Sequence, residues 1–191
     1  MKRRNLIWTN HKEFIKLLLN PIGVIIKEEC GIEDITSQNN LKAYQVFLIL
    51  REEGIHLRAL NEPKGNDFYA SKISNEHWSH LLRMEFEVKT TTQKNSVSCD
   101  AKTEVTVERM ENTYLITAHF NGRKAVPGFI PLKPFQLKAI YLTHPKYMQP
   151  YWNKRRHQVN SRKGSDAGAM NLTYIINHSD RLYSYDPNLV D

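Results

Sequence analysis

Met84-Glu85-Phe86-Glu87-Val88-Lys89 alternates with a period of two: Met84, Phe86 and Val88 fall on one side, Glu85, Glu87 and Lys89 on the other. This is the pattern of a β-strand with an apolar face turned to a core, and it extends over Leu82–Thr92. What flanks the strand sets the class of fold. Upstream, Asn61–Asp67 carries the Pro, Gly and Asn of a loop, Ile55–Leu60 suits a short strand, and Leu41–Glu53 has a broad apolar helical face that Gly54 ends. Further back, Glu13–Glu29 is dense in aliphatic residues, divided by Pro21 and closed by Gly31, and reads as a broken helix. Downstream come a polar stretch at Thr90–Asp100, a short helix at Thr103–Glu111 and a strand at Tyr114–Phe120 turned by Asn121-Gly122. Ala125–Leu132 reads as extended, Phe135–Thr143 as a short helical piece between prolines, and Asn171–Asn177 as a last strand. Helices mixed with strands in this order predict an α/β (α+β) fold, a mixed central β-sheet flanked by helices.

With 191 residues the chain has the length of one domain, able to bury roughly 70% of the surface it would expose unfolded. The expected organisation is mainly helical over 1–54, sheet over 55–132 and basic over 133–191. Apolar residues at 40% and charged ones at 25% exclude a disordered or collagen-like chain. Runs such as Val46–Leu50 are far too short to span a bilayer, and the N-terminal residues lack a signal-peptide pattern, so a cytoplasmic protein without membrane contact is expected. Cys30 and Cys99 lack the spacing of a metal knuckle, and the histidines form no zinc pattern or triad. The net charge of +7 favours a polyanionic partner, since neutralising phosphates releases condensed counterions.

Asp67, at the end of Gly65-Asn66-Asp67, together with Glu87 and Lys89 carries the chemistry. Hydrolysis of a phosphodiester with Mg²⁺ needs hard oxygen ligands for the ion and a cation near the attacked phosphate. An acidic residue beside a strand bearing acidic-x-Lys can bring two carboxylates and an ammonium into one small volume. The bland alternative is a solvated strand face carrying an ion pair.

In order along the chain, Gly31-Ile32-Glu33-Asp34-Ile35, Gln45-Val46-Phe47-Leu48-Ile49, Gly65-Asn66-Asp67 and Glu85-Phe86-Glu87-Val88-Lys89 resemble the PvuII-type restriction endonucleases of the PD-(D/E)xK nuclease fold. So do Leu132-Lys133-Pro134, Tyr151-Trp152-Asn153-Lys154-Arg155 and the late strand Tyr174-Ile175-Ile176. The resemblance implies a restriction-endonuclease-like core with Asp67 and Glu87 as metal ligands and Lys89 as catalytic lysine. Where the family has an acidic residue just before the aspartate, this chain has Lys64; Glu62 is the nearest substitute, and Glu85 reads as an outer carboxylate.

The polar stretch after the strand suits DNA: Thr91, Gln93, Lys94, Asn95, Ser96 and Ser98 are candidate contacts, since Gln and Asn pair bidentately with adenine and Lys with guanine. The paired histidines of the family are missing there, so its target sequence does not transfer. Lys154, Arg155, Arg156, Arg162 and Lys163 form a basic cluster suited to phosphates. The expected protein is a Mg²⁺-dependent type II endonuclease cutting double-stranded DNA at a short palindrome, as a homodimer joined mainly through Glu13–Glu29. A junction or repair nuclease of the same fold and a non-enzymatic DNA-binding regulator are the alternatives.

Overall fold

The computed structural model describes residues 28–31, 38–60, 67–99, 104–121, 137–160 and 168–185. The helix expected at Glu13–Glu29 lies outside them apart from its last residues, as do the extended piece at Ala125–Leu132 and the candidates Glu62, Arg162 and Lys163. Gly31 is in the left-handed region, φ +63°, as a helix terminator requires.

Helix α1, Gln38–Glu52, leads through Gly54 into strand β1, Ile55–Ala59. Gly54 has φ +86°, and a Cβ there would come within 2.8 Å of Asn75, so only glycine fits the turn. Strand β2, Phe68–Ile73, follows, then a 3₁₀ turn at Glu76–Leu81 and strand β3, Glu85–Thr91. Asn75 starts the 3₁₀ turn: its Oδ1 accepts from His77 N at 3.1 Å while its Nδ2 donates to Glu53 O at 3.2 Å. After β3 come β4 (Ser96–Cys99), α2 (Glu104–Glu111), β5 (Tyr114–Phe120) and β6 (Leu137–Thr143). The chain continues as α3 (Pro145–Asn160), β7 (Gly168–Asn171), α4 (Leu172–Asn177) and β8 (Ser179–Ser184).

Six strands form one mixed sheet in the order β1-β2-β3-β5-β6-β8. β3 and β5 run parallel and the other neighbours antiparallel. The sheet is covered on both faces. On one, α1 contributes Tyr44, Val46, Phe47, Ile49 and Leu50 to a core with Phe86, Ile116, Ala118, Phe120, Ile140 and Leu142. On the other, Leu115, Ala139 and Tyr141 pack with Val107 and Met110 of α2 and Met148 and Trp152 of α3. Val97, Met170, Leu172 and Ile175 complete this second core. Each fully buried side chain of this size contributes about 1.5–3 kcal/mol. The expected fold class, a mixed central sheet flanked by helices, is the one observed. Among the described residues no helix is long and apolar enough to cross a membrane.

Two expected elements have another form. Leu137–Thr143 is a strand, not a helical piece. It lies between β5 and β8, and its apolar run fills both sheet faces, which removes the period-two signal. Helix α3 runs through Pro150, with Met148, Trp152 and Arg155 recurring along one buried stripe. The expected strand at Asn171–Asn177, which includes Tyr174-Ile175-Ile176, is instead helix α4, with Asn171 Oδ1 capping Tyr174 N at 3.1 Å. The strand there is β8, one turn further on.

Candidate active site

β3 carries Glu87 and Lys89 onto the face of the second core. Glu87 is registered with Leu115 of β5, and Lys89 with Thr117. Phe86 and Val88, alternate residues, go to the α1 side. Asp67 arrives from the other neighbour. β2 and β3 are antiparallel with Phe68 opposite Phe86, so the next position outward sets Asp67 opposite Glu87. Asp67 Oδ2 accepts from Val88 N at 3.3 Å, which ties the carboxylate to β3. The three candidates therefore come together through ordinary strand pairing.

Their electrostatics are asymmetric. Asp67 is exposed, whereas Glu87 is only 5% exposed. The ammonium of Lys89 pairs with Glu87 Oε1, and Glu87 Oε2 is buried with no hydrogen-bond partner. Burial pushes the Glu87 carboxyl above its ordinary range, Lys89 pulls it back, and the nearby Asp67 charge raises it again. A buried carboxylate with one unfilled oxygen beside a second carboxylate is a favourable place for a divalent cation, whose charge offsets both desolvation and mutual repulsion. The donor set is hard oxygen, as Mg²⁺ requires. Among the described residues no group of three or more His, Cys, Asp or Glu that could hold a metal is found. Glu85 is exposed at the start of β3.

The polar stretch after β3 is only partly a loop. Thr91 is buried, and its hydroxyl donates to Ser96 O at 2.8 Å and accepts from Gln93 N at 3.1 Å. Ser96 Oγ donates to Gln93 Oε1. Thr91 thus shapes the turn rather than facing a ligand, and the turn holds Gln93, Lys94 and Asn95 out in solvent. β4 then pairs antiparallel with β7 as a two-stranded ribbon, with Ser96 opposite Asn171 and Ser98 opposite Ala169. Val97 and Met170 are buried beneath it; Ser98, Ala169 and Asn171 are exposed. Sequence reasoning missed the ribbon, although Ser96-Val97-Ser98 and Ala169-Met170-Asn171 both alternate polar or small with apolar.

Helix α3 divides the basic cluster. Lys154 is exposed. Arg155 is 3% exposed on the stripe with Trp152, one turn on from it, so its role is inside the protein and not on a solvated phosphate-tracking face. Arg156 Nη2 pairs with Glu111 Oε1 at 2.6 Å, and Gln149 Nε2 donates to Glu111 O at 3.1 Å; both link α3 to α2.

In comparisons with known proteins, no family model matches the chain and no curated protein matches it.

Proposed function

We propose that the chain is a Mg²⁺-dependent endonuclease of double-stranded DNA, similar to the PvuII-type restriction enzymes, acting at a short palindrome as a homodimer. The observation that carries this reading is the junction of β2 and β3, where Asp67, Glu87 and Lys89 meet and Glu87 keeps one buried oxygen without a partner. Asp67 and Glu87 would hold the ion, which when bound supplies polarisation of a phosphate oxygen and a water of lowered pKa. Asp67 is held in line by its bond from Val88 N. Lys89 places a cation at the same point to stabilise charge developing on the phosphate. The β4–β7 ribbon and the Gln93–Asn95 turn leave the end of the catalytic strand, and a two-stranded ribbon is of a size that enters the major groove. Two copies related by a two-fold axis would present two such sites to the two strands of a palindrome.

Digestion of phage DNA with purified protein and Mg²⁺, followed by sequencing of the fragment ends, tests the reading. A shared end sequence, abolished by chelator and by Glu87→Gln, is the expected result. Cuts at junctions regardless of sequence would make it a structure-selective nuclease. DNA binding with no cut under any metal condition, unchanged in the Asp67→Ala, Glu87→Ala, Lys89→Ala triple variant, would make it a regulator.

A further inference from the structure

Tyr147, near the start of α3, and Tyr174, in α4, are among the large apolar side chains that the described residues leave in solvent, 38% and 37% exposed. One exposed tyrosine is ordinary, but these two are joined. The Tyr174 ring stacks on His178 with centroids 4.1 Å apart and planes at 23°, and the Tyr147 ring lies 5.5 Å from the same His178. The Tyr174 hydroxyl donates to Tyr147 O at 2.8 Å, and His178 Nδ1 donates to Tyr174 O at 2.8 Å. The Lys146 ammonium stands 4.7 Å from the centre of the Tyr147 ring. These contacts hold the rings in place and explain their covered sides, not the exposure left to each. Positive charge gathers at the same point: α3 and α4 carry no acidic residue, and Lys146 is in the first turn of α3, where the helix dipole disfavours a cation. Asp180 of β8 acts on the neighbouring His144, but so do Lys146 and His80. The surface borders the turn before β4: Leu172 N donates to Asn95 O at 2.9 Å, and Asn171, opposite Ser96, caps Tyr174 N.

We propose that Tyr147, Tyr174, His178 and Lys146 form a stacking platform for single-stranded DNA. An unpaired base presents an apolar face that a duplex keeps inside its stack, so exposed aromatic rings favour single strands, and a lysine against the ring meets the adjoining phosphate. The rings are already held by their own contacts, so little side-chain ordering is lost on binding. Duplex DNA offers this surface only sugar and phosphate. The choice of DNA over RNA rests on the endonuclease reading above, because Tyr174 lies one helical turn from the end of the Gln93–Asn95 turn. The stacking itself does not rest on it.

The test is fluorescence anisotropy in excess chelator with four labelled probes of equal length, about twelve nucleotides: oligothymidine, a strand lacking its bases, oligouridine and a blunt duplex. Wild type is expected to bind oligothymidine about ten-fold more tightly than the baseless strand, which has the same phosphates. Tyr147→Leu and Tyr174→Leu should each lose that margin and leave duplex affinity unchanged, whereas Tyr147→Phe should keep it. Equal binding of oligothymidine and the baseless strand by wild type would overturn the proposal, as would wild-type affinity in both leucine variants. So would a loss shared by Tyr147→Phe or by the duplex, and so would tighter binding of oligouridine, which would make the surface an RNA site. A wild-type dimer that sediments as a monomer in Tyr174→Leu would likewise overturn it and mark a contact between copies. No metal is present, so the endonuclease reading can fail in its own digestion test while the platform stands, and the reverse.

Discussion

Glu87 concentrates the electrostatic cost of the site: Lys89 offsets it, and Asp67 adds to it. Removing Lys89 leaves a buried carboxylate without its cation, a change that costs about 1–3 kcal/mol where some solvent reaches the pair. Lys89→Ala should therefore be less stable than wild type without metal and recover when Ca²⁺ is added; denaturant melts with and without Ca²⁺ check this. Asp67→Ala and Glu87→Ala should lose Ca²⁺-stimulated DNA binding, whereas Lys89→Ala should largely keep it, and all three should lose cleavage. Mobility shifts run beside a cleavage assay separate these outcomes. Asp67, Glu87 and Lys89 were legible in the sequence because strand alternation and the Gly-Asn turn are local signals. The burial of Thr91 and Arg155 was not, because which polar side chain a core encloses depends on elements far away in the chain.

At the scale of single elements, α1, β1, β3, α2 and β5 were legible from periodicity and from the glycine after α1. β6 was not: an apolar run between prolines fits a buried strand or a helix equally well, and only its place between β5 and β8 decides. β2 and the 3₁₀ turn carry no clean period, as Phe68-Tyr69-Ala70-Ser71-Lys72-Ile73 buries a single residue fully. The turn after α1 makes a sharp prediction. Gly54→Ala meets both φ +86° and the 2.8 Å approach of Asn75, whereas Gly31→Ala meets only φ +63° with Ala59 Cβ at 3.6 Å. Both should destabilise, by about 1–3 kcal/mol, with Gly54→Ala the larger loss by urea titration. On α3, Lys154→Ala should weaken binding to all DNA sequences and lower the salt slope by about one, measured as affinity against salt. Arg155→Ala should instead reduce stability, visible as a lowered melting temperature.

For the whole molecule, buried thiol and phenol groups of the α1 core should make stability fall at alkaline pH. Burial pushes the Cys30 thiol up to about 12 from 9.0 and the Tyr44 hydroxyl up to about 12 from 10.0, and burial also raises Tyr183. Because these folded-state values lie above the unfolded ones, the unfolded chain loses its protons first. Stability is full below pH 9 and falls as pH rises from there toward 12. Urea melts from pH 8 to 11 should show this decline, flattened in Tyr44→Phe. Native Cys30 should also resist thiol reagents at pH 8 that label it in denaturant. Charge acts on the outside: with an excess of seven positive charges, the proposed association with DNA should weaken as salt rises. That the Asp67, Glu87 and Lys89 site cuts DNA is tested most directly by Mg²⁺-dependent cleavage of phage DNA by wild type and by Glu87→Gln, folded alike, with fragment ends sequenced. Wild type should give a discrete fragment pattern with one common end sequence, lost in chelator and in Glu87→Gln. Wild-type cleavage that persists in excess chelator, or equal cleavage by Glu87→Gln, would contradict it.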